Sequence, residues 1–283
     1  MLSVLICHNW KTIFIHIPKC AGTLFRKELQ QHAPFGSTVS FWEFSYQATI
    51  RRYVDLAHLP LADLRHFPEW ELLNKYHTMA IVRNPYERLA SACVEYYRHK
   101  SPETYKQMLA QAPSKDQLLA YLRALPRGLE CRDLRYVHAF PMIWFTHYGN
   151  QPMIDTLLHC ECLEDDIRIS CDQAILPTEL REKLISISER EHKVNVSLAS
   201  ELSNDPDLQA LANILYQEDF TIFNYERLNI DFIDSSLADL AQSFRETRSH
   251  EIKHMDYAPR VLWHWGRSCN MLLPYMLPTR NRP

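Results

Sequence analysis

At 283 residues, 46% of them hydrophobic and 23% charged, the chain can bury a substantial core as one large domain or two small ones. Its formal net charge of −3 offers no global attraction to nucleic acid or to an anionic membrane, although a phosphate site needs only a few local cations. The eight cysteines are scattered, with no CxxC pair and no Cys/His zinc spacing, so they predict free thiols in a reducing compartment and no metal.

The opening MLSVLI is too short for a signal-peptide core, and no apolar run is long enough to span a membrane. The first informative stretch is TIFIHIPKCAGTLFRKELQ, Thr12 to Gln30. Thr12 to Ile17 are mostly β-branched or aromatic and predict a buried strand, which Pro18 ends. After the small residues Ala21 and Gly22, a helix is expected from Thr23 to Gln31. Leu24, Phe25 and Leu29 would be its apolar positions, with Arg26, Lys27 and Glu28 facing water. A strand, tight turn and helix in this order outline an anion cradle. The first N–H groups of a helix lack internal partners, and its dipole favours negative charge. Gly22 permits close backbone approach, Lys19 adds a charge and Thr23 a hydroxyl. The turn does not match GxxxxGK[ST], because Lys19 precedes the glycine, so an ordinary nucleoside-triphosphate loop is not supported.

Ala33 to Ser40 reads as a loop and Phe41 to Arg52 as a short helix with Trp42, Phe44 and Tyr46 packing. Tyr53 to Ala57 predicts a strand that Pro60 terminates, leaving His58 at or just past its end. A connecting segment with a short helix follows from Leu61 to Asn74. Tyr76 to Val82 is a second apolar strand, stopping at Arg83-Asn84-Pro85. From Pro85 to Arg98 the pattern is helical, with Leu89, Ala92, Cys93, Tyr96 and Tyr97 at three- and four-residue spacing and Pro85 tolerated in the first turn. A cation again stands at a strand's carboxyl end, the edge where open parallel sheets collect ligands. Further helices are expected at Lys115 to Leu125, Thr178 to Arg190, Asp207 to Gln217 and Ser236 to Thr247, and a strand at Met153 to Cys160. Pro126-Arg127-Gly128 and Ser203 to Pro206 are turn signals. Tyr257 to Pro283 reads as a packing tail. One α/β domain over 1–283 is expected, with a core of about 12–225 and a helical tail of about 231–283.

Two stretches together, IFIHIPKCAGT (Ile13 to Thr23) and VRNPYERLASA (Val82 to Ala92), resemble the 5′-phosphosulfate loop and 3′-phosphate site of sulfotransferases that use 3′-phosphoadenosine-5′-phosphosulfate (PAPS). The likeness is to the group that includes the carbohydrate O-sulfotransferases (sulfotransferase family 2-like). CECLEDDI (Cys160 to Ile167), HKVNVS (His192 to Ser197) and YQEDFTIFNY (Tyr216 to Tyr225) extend it. The sequence departs from that family at Leu24, where a serine is common, and at Pro141-Met142, where a Pro-Gln pair is often found.

The resemblance implies a P-loop-like three-layer fold with a central, mostly parallel sheet. It also implies transfer of a sulfuryl group from PAPS to a hydroxyl of a carbohydrate or small molecule, leaving adenosine 3′,5′-bisphosphate and needing no metal. Lys19 would meet the bridging oxygen, and the backbone of Cys20, Ala21, Gly22, Thr23 and Leu24 would hold the 5′-phosphate. Arg83 and Ser91 would hold the 3′-phosphate. For the base, His58 in Ala57-His58-Leu59-Pro60 matches the family's context. His16 is the rival by position, with His32, His77 and His138 behind it. Arg51, Arg52, Arg132 and Arg135 are candidates to greet an anionic acceptor, and Cys20 is a candidate redox-sensitive thiol. Secretory members of the family carry an N-terminal membrane anchor; the early first strand here predicts a cytoplasmic protein. Two other readings stay open: a nucleotide-binding module without turnover, and an ATP-dependent phosphotransferase.

Overall fold

The computed structural model describes residues 4–33, 38–39, 44–47, 52–149, 151–170, 180–186, 202, 204–228 and 234–247. Strand β1 (Val4–Cys7) turns back into β2 (Thr12–Ile15), with Val4 opposite Ile15 and Cys7 opposite Thr12. Lys11 adopts a left-handed φ of 46° in that turn. Helix α1 (Gly22–His32) then leads to β3 (Thr38–Val39), which pairs antiparallel with β1. Strands β4 (Phe44–Gln47) and β5 (Arg52–Asp55) form a separate hairpin, and α2 (Leu61–Leu64) follows. Strand β6 (His77–Val82) lies parallel to β2, placing Ile15 beside Ala80.

Helices α3 (Pro85–Lys100), α4 (Pro102–Gln111) and α5 (Lys115–Glu130) come next, then a 3₁₀ segment, Leu134–Ala139. After α6 (Ile143–Thr146) and the small hairpin of β7 (His147–Tyr148) and β8 (Gln151–Pro152), strand β9 (Thr156–His159) joins β6 in parallel. Helix α7 (Leu163–Ser170) follows β9, and α8 (Pro206–Leu215), α9 (Gln217–Ile222) and α10 (Ala238–Glu246) complete the order. Residues 180–186 are also helical.

The sheet order is β3-β1-β2-β6-β9. Every residue of β2 is buried, as are five of the six in β6, because helices cover both faces. That is why both strands read as nearly continuous apolar runs. The sheet is mixed rather than mostly parallel: β2–β6 and β6–β9 are parallel, while the N-terminal hairpin makes β1–β2 and β1–β3 antiparallel.

Several local expectations are corrected. Within Phe41 to Arg52, residues 44–47 are strand, not helix, and 41–43 and 48–51 lie outside the described residues. Tyr46 stands directly opposite Tyr53 with ring centroids 5.2 Å apart, a cross-strand aromatic pair that favours the hairpin. Strand β5 consequently belongs to this two-stranded sheet and not to the central one. Pro126-Arg127-Gly128 does not turn but continues α5. Gly128 is needed there for packing, since a Cβ would lie 2.4 Å from the Tyr136 ring. Helix α4 was not expected; Ser101 caps it by accepting from the Thr104 N–H, with Pro102 in its first turn. On α1, Arg26 and Glu28 are buried rather than water-facing.

Cys7, Cys20, Cys93, Cys131, Cys160 and Cys162 are free thiols, while Cys171 and Cys269 lie outside the described residues. So do His192 to Ser197 and Tyr257 to Pro283. Among the described residues, no helix is long and apolar enough to cross a membrane.

Candidate functional site

Because β2 and β6 are adjacent and parallel, the turns that follow them emerge side by side. The turn after β2 is unusual in its backbone. Lys19 and Ala21 both take left-handed φ values, 65° and 59°, although neither is glycine. Conformations of this kind cost on the order of 1 kcal/mol or more each and persist only where the surroundings impose them. Here the surroundings are specific. Cys20, between the two, is fully buried, with its Sγ 3.6 Å from the Pro18 carbonyl oxygen and 3.9 Å from Met142 Sδ. Arg88, also fully buried, donates from Nε to the Pro18 carbonyl at 3.0 Å and from Nη2 to the Phe140 carbonyl at 2.6 Å.

Helix α1 starts at Gly22 with no side-chain cap and no acidic residue in its first turn, so its leading N–H groups face outward without a carboxylate beside them. Gly22 has a steric cause: a Cβ would sit 2.3 Å from Cδ2 of His16, whose ring lies against it. Thr23 is exposed and Lys19 partly exposed, so both can meet a ligand. Nothing is described of the Leu24 side chain.

The turn after β6 meets the first directly. Arg83 donates from Nη1 to the Lys19 carbonyl oxygen at 3.3 Å, and its Nη2 lies 3.4 Å from Glu87 Oε2. Its own N–H points at Met142 Sδ, 3.5 Å away. Asn84 caps α3 by accepting from the Tyr86 N–H. Its backbone N–H donates to Glu161, whose other oxygen accepts from the Tyr225 hydroxyl at 2.9 Å. Ser91 is buried two turns further along α3. Every fourth residue of this helix from Arg83, namely Glu87, Ser91 and Glu95, continues along one drifting face. Glu95 Oε2 lies 3.1 Å from Lys19 Nζ.

His58 follows β5 in a short turn. Its Nδ1 is 2.8 Å from Asp55 Oδ2, and the other carboxylate oxygen accepts from the Ala57 N–H at 2.8 Å. A carboxylate can only accept, so Nδ1 carries hydrogen and Nε2 is left as the basic nitrogen of the ring. The rings of His16 and His138 flank it, with centroids 4.8 and 5.0 Å from that of His58. Burial, followed by the nearby His58, Arg26, His138 and Lys19, holds the His16 pKa well below the usual histidine value. His16 is therefore a neutral packing ring beneath Gly22 and a poor rival as base.

Asp219 is the buried hub behind both turns. It accepts from the Met142 and Ile143 N–H groups at 2.8 and 2.9 Å, and so fixes the methionine that touches both Cys20 and Arg83. Burial pushes its pKa up to about 6, against the opposing pull of Arg88 and those two N–H groups.

A model of the sulfotransferase family matches residues 3–226, a span that contains both turns, His58 and Asp219. The chain belongs to the sulfotransferase family. Neither curated proteins nor solved structures give a significant match.

In this sulfotransferase, then, Lys19, Cys20, Ala21, Gly22, Thr23 and Arg83 are brought to one edge of the sheet, with His58 beside the His16 ring that covers Gly22, while Ser91 is buried further along α3. The remaining candidates lie elsewhere or are already engaged. His77 sits at the start of β6, 2.9 Å from the Thr156 hydroxyl, at the opposite edge. His32 lies 3.7 Å from Glu28. Arg132 is buried, its guanidinium 4.1 Å from the Trp144 ring centroid, and Arg135 forms a forked pair with Asp133. Arg51 lies outside the described residues, as does the side chain of Arg52. Burial pushes the Cys20 thiol up to about 12, which argues against redox reactivity.

Sequence reasoning missed the roles of Asp55, Arg88, Glu95 and Asp219, and marked Met142 only as a departure from the family's Pro-Gln pair. Asp55 carried a local signal as well, three residues before His58. It also missed that His159, Cys162 and Asp166 bring nitrogen, sulfur and oxygen atoms within 4.8 Å of one another. Asp166 there accepts from the His159 N–H and lies 3.0 Å from its Nδ1.

Proposed function

We propose that the protein transfers a sulfuryl group from PAPS to a hydroxyl of a carbohydrate or small-molecule acceptor, with His58 as general base. The observation that carries this reading is the contact between Arg83 and the Lys19 carbonyl, which makes two anion-holding turns neighbours at one sheet edge. Adjacent turns of this kind suit a nucleotide phosphorylated at both its 3′ and 5′ positions. The residues present fit such a donor: an uncapped helix start, a glycine that cannot carry a side chain, an exposed Thr23 and two cations. The fold supports the same reading, as a P-loop-like arrangement in which helix α1 presents its first turn to phosphate.

PAPS supplies an activated S–O bond to a good leaving group. The acceptor hydroxyl gives its proton to His58 Nε2 while its oxygen forms the new bond to sulfur. The bond from sulfur to the bridging oxygen breaks, and that oxygen keeps the electron pair. Lys19 neutralises the charge growing there, and the N–H groups of Cys20 to Leu24 with the Thr23 hydroxyl hold the 5′-phosphate. Arg83 and Ser91 take the 3′-phosphate, the arginine through its planar fork. Asp55 keeps the proton of His58 on Nδ1 and stabilises the imidazolium that forms. Positioning and electrostatics carry such transfers, and no metal is needed in this scheme.

Calorimetry with adenosine 3′,5′-bisphosphate, paired with labelled PAPS and a panel of hydroxyl acceptors, tests the reading. Binding plus label transfer that is lost in His58→Ala is expected. Failure to bind the bisphosphate overturns it, and tighter binding of ATP than of PAPS favours phosphoryl transfer instead.

A further inference from the structure

Lys19 has a partner that its assigned role does not call for. Its ammonium lies 3.1 Å from Oε2 of Glu95, and the other oxygen, Oε1, lies 3.1 Å from Nη1 of Arg98. Glu95 is well shielded, with a side-chain exposure of 13%, whereas Arg98 is exposed at 56%. The carboxylate thus stands between an inner cation at the anion-holding turn and an outer cation at the surface. The pairing is long-range and not a helical-spacing accident, since Lys19 and Glu95 are 76 residues apart on different elements. It also repeats further up the same helix, where Glu87 pairs with Arg83, the cation of the second turn.

We infer that Glu95 is the exchangeable counter-ion of Lys19, a positioning residue that holds the ammonium at the turn and releases it to the incoming donor. An ammonium on a four-carbon stem is mobile and strongly hydrated, so it needs a second contact to stay in one place. Glu95 supplies that contact. The same carboxylate competes with any phosphate or phosphosulfate oxygen that Lys19 is to meet, and it repels that anion as well. Arg98 makes the exchange feasible: when Lys19 turns to the donor, Glu95 keeps a cationic partner and is not left as a shielded, unpaired charge. Donor affinity is therefore set by a competition between two anions for one lysine.

This inference rests on the donor reading above, and one experiment separates the two. Adenosine 3′,5′-bisphosphate is titrated calorimetrically into the wild-type full chain and into Glu95→Gln, which keeps the shape of the side chain and removes its charge. The dissociation constant is expected to fall about threefold or more in the variant, the scale of one partly exposed ion pair. The KM for PAPS should fall with it. Damage to the fold would weaken binding, so tighter binding is not explained by a structural role alone. If Glu95→Gln does not fold, Glu95→Asp, one methylene shorter, is read in its place with the same direction expected. Unchanged or weaker binding in the folded variant overturns the role of Glu95 while leaving the donor reading intact. No binding by the wild type overturns the donor reading, and this inference falls with it.

Discussion

Arg88 Nε donates to the carbonyl oxygen of Pro18 across 3.0 Å, joining the first turn of α3 to the residue where the first strand-turn-helix unit bends. Through Nη2 it also grips the Phe140 carbonyl, and it opposes the burial of Asp219. One buried guanidinium therefore ties three segments that are distant in sequence.

Replacing it should be costly. Arg88→Met leaves two buried carbonyls and the Asp219 carboxylate without their cation, and a loss of about 3 kcal/mol or more is expected in urea unfolding. Arg88→Lys should recover only a small part, because an ammonium cannot reach both carbonyls in the geometry of a planar fork.

Gly22→Ala tests the packing of His16. The added methyl would meet the imidazole at 2.3 Å, so a destabilisation of about 1–3 kcal/mol is expected, with weaker nucleotide binding. His16→Ala in the same chain should restore much of the stability lost at Gly22. The two changes are then non-additive in a double-mutant cycle.

Asp55→Asn separates orientation of the base from binding of the donor. The amide can offer hydrogen where the carboxylate could only accept, which disturbs the tautomer of His58. A fall in kcat of about tenfold or more is expected, within the contribution a general base makes. The KM for PAPS should move by less than about twofold.

Asp219 gives a dependence of stability on pH. Burial raises its folded pKa to about 6, above the ordinary aspartate value of 3.8, so the folded state binds its proton first as pH falls. The stabilisation from this proton is fully present below about 3.8 and is lost as pH rises through about 6. Wild type should therefore gain about 1 kcal/mol on Asp219→Asn when pH is lowered from about 7 to about 5, read as the difference between their urea midpoints.

The two strand-turn-helix units were legible because β2 and β6 are buried on both faces, which leaves an unbroken apolar signature. The turns were legible because proline and glycine punctuate them. Phe44-Ser45-Tyr46-Gln47 was misread because a four-residue strand carries too few residues to separate a period of two from one of 3.6, and the decisive partner, Tyr53, lies across a hairpin. Residue type alone assigns Arg26 and Glu28 to water, yet both are buried, and burial brings the Arg26 pKa down to about 10 against the opposing pull of Asp55. The support of the candidate site was the least readable part. Arg88, Met142 and Asp219 act on residues 52 to 122 positions away, and no local pattern encodes such pairings.

The left-handed Lys19 and Ala21 bear on how such a turn can be reused. Neither residue prefers that conformation, so the curve is imposed by Arg88, by the buried Cys20 and by the His16 ring. A peptide spanning Thr12 to Gln31 would relax out of it. Grafted onto a foreign scaffold, the same letters would spell the motif without its grip.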